Sequence, residues 1–141
     1  MPGGYSIEPN RSIVLSRAWG VLEDRELLAH ARALAADPRF KPHFRQISDF
    51  RDVTDFHLTD QVIREMVYLS PFGAGARRAL VVGTDVAFGL ARMFQILREQ
   101  SPDEIAIFRD MDTGLEWLGV SEEKEILLSA LSKAPPVAVP E

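Results

Sequence analysis

RALVVGTDVAFGLARMFQILREQSPDEIAIF, residues 78–108, holds the decisive pattern. Ala79–Val82 is an unbroken apolar run, short and partly β-branched, as suits a strand covered on both faces. Gly83-Thr84-Asp85 follows as a turn, with Thr84 or Asp85 placed to accept from the unpaired N–H groups that open a helix. Val86, Leu90, Met93, Phe94 and Leu97 then recur at helical spacing as an inward stripe, and Ile105–Phe108 is another apolar strand. Strand, helix, strand in that order predicts a parallel βαβ crossover, and with it an α/β fold.

Upstream, Tyr5–Ile7 and Ser12–Trp19 read as two strands joined by Glu8-Pro9-Asn10-Arg11, where proline presets φ for a hairpin turn. Gly20 is expected to break the second strand. Glu23 and Asp24 place negative charge where the next helix starts. That helix carries Leu27, Leu28, Ala31, Leu34 and Ala35 and stops before Asp37-Pro38. Arg45–Val53 is a third strand with Ile47 as its clearest core residue, and Thr54–His57 is expected as a loop. Leu58 or Thr59 opens a second helix with Val62, Met66 and Leu69 inward.

Downstream of Phe108, Asp110 or a Thr113-x-x-Glu116 capping box starts a short helix, and Ser121 starts another carrying Leu127, Leu128 and Leu131. The order predicts a mixed five-stranded sheet, an N-terminal hairpin followed by parallel βαβ units, flanked by helices. Residues 1–120 form this α/β domain, 121–133 a C-terminal amphipathic helix, and 134–141, rich in proline, a disordered tail.

Composition narrows the function. The 141 residues suit one domain. A net charge of −5 without any basic run argues against nucleic acid as a partner. With no cysteine there is no disulfide, thiolate metal site or cysteine nucleophile. No secretory leader and no apolar run of bilayer-spanning length is present, so a cytoplasmic location off the membrane is expected.

Three stretches carry a family resemblance. They are Arg45-x-Ile47-x-Asp49-Phe50-Arg51-Asp52-Val53-Thr54, then Val81-Val82-Gly83-Thr84-x-x-x-Phe88-Gly89-Leu90-Ala91-Arg92-Met93-Phe94, then Ile107-Phe108-Arg109-x-x-x-x-Gly114-Leu115-x-Trp117-Leu118. Together they resemble the SpoIIAA-like proteins, small bacterial domains sharing the fold of STAS domains and anti-sigma-factor antagonists. The resemblance implies that fold and leaves activity open, since most members have no assigned function. The antagonists carry an Asp-Ser-Ser-Gly-type motif after the third strand, whose serine is phosphorylated. This chain has Asp52-Val53-Thr54-Asp55-Phe56-His57 there, leaving Thr54 and Thr59 as the hydroxyls nearest that helix start.

In open α/β sheets ligands gather beyond the carboxyl ends of the strands. That rim comprises Asp49–His57, Gly83–Asp85 and Arg109–Asp112, and it nominates Asp49, Thr54, Thr84 and Arg109 as ligand-binding residues. Asp49 is either a carboxylate accepting loop N–H bonds or a ligand-orienting group. Asp49, Asp52, Asp55 and His57 read as caps and surface charges rather than a metal site, and no cofactor is implied. His30 and His43 are expected at the surface. Phe88, Arg92 and Ile96 fall four apart on the face opposite Val86 and Leu90, as apolar side chains where the helix should meet water. Either the C-terminal helix covers that face, or a second copy or another regulatory protein does. The reading is a non-catalytic binding or regulatory domain acting through protein contacts, with a homodimer or a regulatory protein as the expected partner; the alternative is a small-ligand binder or enzyme using the strand-end rim.

Overall fold

The computed structural model describes residues 3–139. Five strands, β1 (Gly3–Glu8), β2 (Ile13–Glu23), β3 (Arg45–His57), β4 (Arg77–Val81) and β5 (Glu104–Phe108), form one sheet in the order of the chain. β1 runs antiparallel to β2, and β2 through β5 are parallel. The helices are α1 (Asp24–Ala36), α2 (Asp60–Leu69), α3 (Asp85–Leu97), α4 (Met111–Leu118) and α5 (Lys124–Ser132).

Local chemistry sets the helix ends. α1 opens on a capping box between Glu23 and Glu26 and ends before Pro38. The side chains of Thr59, Thr84 and Asp110 accept from the N–H groups of Val62, Ala87 and Thr113, which starts α2, α3 and α4. Gly119, at φ 76°, ends α4 in the left-handed conformation that glycine adopts without strain.

Period-2 alternation divides the strand residues between two layers. Ile13, Leu15, Ile47, Ala79 and Val81 face α4 and α5, where Met111, Leu115, Leu118, Leu127 and Leu131 complete a dry core. On the opposite face, α2 and α3 bury Val62, Ile63, Ala87, Ala91 and Phe94 against Leu80 and Val82. α1 lies beside α2 and packs Leu34 with Ile7, Val14 and Phe44. Each crossover helix between parallel strands therefore lies on this one face.

Three expectations are corrected. β2 does not stop at Gly20; φ +67° there bends the strand at a bulge, and pairing continues to Glu23↔His57. Thr54–His57 is accordingly strand rather than loop, with Thr54 the unpaired residue of the bulge. The segment expected as a disordered tail is pinned over the part described. Ala134 is buried, Pro136 bridges Gly4, and the Val137 N–H donates to Gly3 O at 2.9 Å. A methyl on Gly4 would meet Pro135 O at 2.2 Å, so only glycine admits this approach. Pro140 and Glu141 lie outside the described residues.

Candidate functional site

A row of strand residues facing α1–α3 departs from the apolar rule. Register places Val14, Gln46 and Arg78 side by side across β2, β3 and β4, and Ser16, Ser48 and Leu80 in the next row. Ser16, Gln46, Ser48 and Arg78 are all buried. They form the polar floor of a cavity of about 120 Å³ whose walls include Leu27, Leu34, Ile63, Met66, Ala91 and Phe94.

The floor is wired as a chain. Gln46 Nε2 donates to Ser16 Oγ at 3.0 Å, and Arg78 Nε donates to Gln46 Oε1 at 3.0 Å. Arg78 Nη1 donates to Ser70 Oγ at 2.9 Å and to Asp103 Oδ2 at 3.2 Å. Asp103, with a side-chain exposure of 0%, accepts a second guanidinium, Arg98 Nη2, at its other oxygen. Arg98 also donates Nη1 to Val67 O at 2.9 Å. The Arg78 guanidinium lies 4.3 Å from the Phe72 ring centroid and 5.2 Å from that of Phe94, so the aromatic faces supply part of what water would. Burial pushes its pKa down to about 10 against the pull of Asp103, with Arg98 adding to the fall. It remains a cation at neutral pH.

His30 of α1 lines the same cavity, contrary to the expected surface position. Its ring meets Tyr5 edge-on at 5.3 Å, and Nε2 is buried with no hydrogen-bond partner among the described residues. Burial, followed by the charge of Arg78, pushes its pKa down to about 4, while the Gly4 backbone opposes the shift. The imidazole is therefore neutral at pH 7. His43 is exposed, as expected.

The strand-end rim adjoins this cavity at Asp49, which also lines it. Asp49 is held by its near neighbour: Arg51 donates Nε at 2.9 Å, Nη2 at 3.0 Å and its backbone N–H at 3.0 Å. Thr84 is occupied as the cap of α3. Arg109 Nη2 donates to Asp85 Oδ1 at 2.9 Å, and its guanidinium covers the Phe88 ring at 4.8 Å. Gly83 approaches Arg51, which brings Asp49, Thr84 and Arg109 to one rim. Thr54 lies five residues further along β3, roughly 15 Å away at strand rise. Asp55 pairs with His57 at 2.8 Å on the exposed part of β3. Thr59 Oγ1 donates to Asp24 Oδ2 at 2.7 Å while it caps α2, so its hydroxyl is already committed on both sides.

The exposed face of α3 carries Phe88 at 36% and Ile96 at 51% exposure, with Arg92 between them. α5 packs on the other side of the sheet and does not cover it. Val86, expected inward, is 64% exposed. The buried stripe of α3 is Ala87, Ala91 and Phe94, where two small side chains bring the helix close to the sheet. Gly89 meets nothing within 4 Å, so no backbone of this chain makes the close approach that would offset its helix cost.

Sequence reasoning missed the polar floor. Ser16, Gln46, Ser48 and Arg78 interrupt apolar strands, and a polar residue inside a strand covered on both faces is a signal of a buried network.

No protein-family model matches the chain, and no curated protein matches it. Among solved structures it is similar to an uncharacterized protein of the DUF3478 family with a SpoIIAA-like fold from Shewanella loihica PV-4. The TM-score is 0.54 at 18% identity, over 83% of this chain and 94% of that one. The chain has a SpoIIAA-like fold, and the resemblance read from its sequence holds at that level. Among the described residues, no helix is long and apolar enough to cross a membrane.

Proposed function

We propose that this SpoIIAA-like domain is a non-catalytic binding domain for a small, largely apolar molecule held between the sheet and α1–α3. The observation that carries the reading is His30 Nε2, a ring nitrogen buried at the cavity wall with no hydrogen-bond partner among the described residues. Leaving such a group unpaired costs about 1–3 kcal/mol, which a hydrogen-bonding group on a ligand recovers. The cavity is comparable to the engineered one of about 150 Å³ that takes up benzene. Of the serines that line it, Ser16 and Ser70 are bonded to Gln46 and Arg78, and among the described residues none is bonded to a histidine or carboxylate, which favours binding over turnover.

A direct test is uptake of a neutral probe, benzyl alcohol, followed by thermal shift and isothermal calorimetry. Saturable binding by the wild type and its loss in Ala91→Met, which fills the cavity, support the reading. Absence of binding to the wild type overturns it.

A second reading, a regulatory domain acting through protein contacts, is supported by the exposed Phe88, Arg92 and Ile96 face, on which only Arg109 lies over Phe88 among the described residues. Burying one such apolar side chain contributes roughly 2 kcal/mol. A homodimer through α3 predicts that Phe88→Asp lowers the mass measured by light scattering; an unchanged mass rejects the dimer.

A further inference from the structure

The charges beneath the cavity do not balance. Arg78 and Arg98 are both buried, and among the described residues Asp103 is the one carboxylate bonded to either. Glu26 and Asp49 also line the cavity, but each has a cation of its own: Glu26 accepts Arg25 Nε at 3.0 Å and the Glu23 N–H at 3.1 Å, and Asp49 accepts Arg51 Nε at 2.9 Å. One positive charge is thus left without a counterion in a poorly solvated place, where an unpaired charge is costly.

Of the two cations, Arg78 is the one that lines the cavity. Its Nε and Nη1 are engaged, while Nη2 makes no hydrogen bond among the described residues. A guanidinium with one open nitrogen beside an apolar chamber matches a carboxylate joined to an apolar body. A single unmatched charge suits a monoanion better than a phosphate dianion. An ammonium would add to the repulsion.

We propose that the ligand is a monocarboxylate whose apolar body is about the size of a benzene ring or a short acyl chain, its carboxylate seated on Arg78. This rests on the binding reading above and names its chemistry. The body lies against Ile63, Met66 and Ala91. A hydroxyl on that body hydrogen-bonds His30 Nε2, as donor or acceptor.

The experiment compares benzoate, benzyl alcohol and benzylamine on the full chain by isothermal calorimetry at pH 7 and moderate salt. Benzoate is expected to bind about tenfold or more tightly than benzyl alcohol, in keeping with a charge-assisted hydrogen bond, and benzylamine weakest. In Arg78→Met the preference for benzoate over benzyl alcohol disappears while benzyl alcohol still binds. Should that variant fail to fold, the ¹⁵N signals of the Arg78 guanidinium in the wild type carry the test. They shift with benzoate and not with benzyl alcohol. Equal affinities for acid and alcohol overturn the carboxylate assignment and leave the cavity reading standing; binding of neither removes both. Among the three hydroxybenzoates, one is expected to exceed benzoate and to lose that gain in His30→Phe. If none does, His30 has no part in recognition.

Discussion

The two faces of the sheet are built to different rules. Toward α4 and α5, neighbouring strands present Leu15, Ile47, Ala79 and Val81, a surface that packs dry. One residue away in register, toward α1–α3, the same strands present Ser16, Gln46, Ser48 and Arg78. The first face gains stability from burying apolar area. The second spends part of that gain on a hydrogen-bonded chain beside a cavity. Leu80 and Val82 still pack that face on α2 and α3, and the polar row lies beside them.

Substitutions on either side test this contrast. The largest loss is expected for Asp103→Asn, which leaves Arg78 and Arg98 buried without their shared carboxylate. Breaking such a group costs about 3–5 kcal/mol, read as a fall in the urea midpoint. Ile47→Ala, on the dry face and 1% exposed, should cost about 3 kcal/mol from lost burial and the cavity it leaves. Its neighbour Ser48→Ala, on the polar face, should change stability by no more than about 0.5 kcal/mol, because Ser48 makes no side-chain hydrogen bond among the described residues. Similar losses at Ile47 and Ser48 would erase the distinction between the faces.

The pH response belongs to the polar face. The folded-state pKa of His30, about 4, lies below its ordinary value of 6.5. Between those values the unfolded chain takes up a proton that the folded chain refuses, so stability falls as pH drops from about 6.5 to about 4 and levels off below. Denaturant titrations across that range should show the slope in the wild type and a flatter profile in His30→Phe. The smallest effect away from both faces is Thr84→Ala, which removes the cap of α3 and should cost about 1 kcal/mol by thermal melting.

The βαβ core was legible because apolar runs and caps are local signals. Ala79–Val82, Thr84 and Ile105–Phe108 state strand, helix start and strand with no help from distant residues. Gly20 misled because its positive φ serves a bulge, and a bulge is defined by the partner strand rather than by the chain's own sequence. Val86 misled because size was weighed above phase, whereas α3 turns its alanines toward the sheet. His30 lies at the edge of its helical stripe and is half-buried, with Tyr5 brought against its ring by β1. The role of Arg78 is tertiary in the same sense: Phe72, Phe94 and Asp103 come to it from three other places in the chain.

The bridge between Gly4 and Pro136 brings the beginning and the end of the described chain to the same corner of the molecule. That corner borders the chamber behind α1, since Gly3 is among its lining residues and Arg17, another of them, donates to Ala134 O at 3.0 Å. Stitching the two ends with a short linker and reopening the chain at Ala74–Gly75 would give a circular permutant with the same sheet and new termini on the opposite flank.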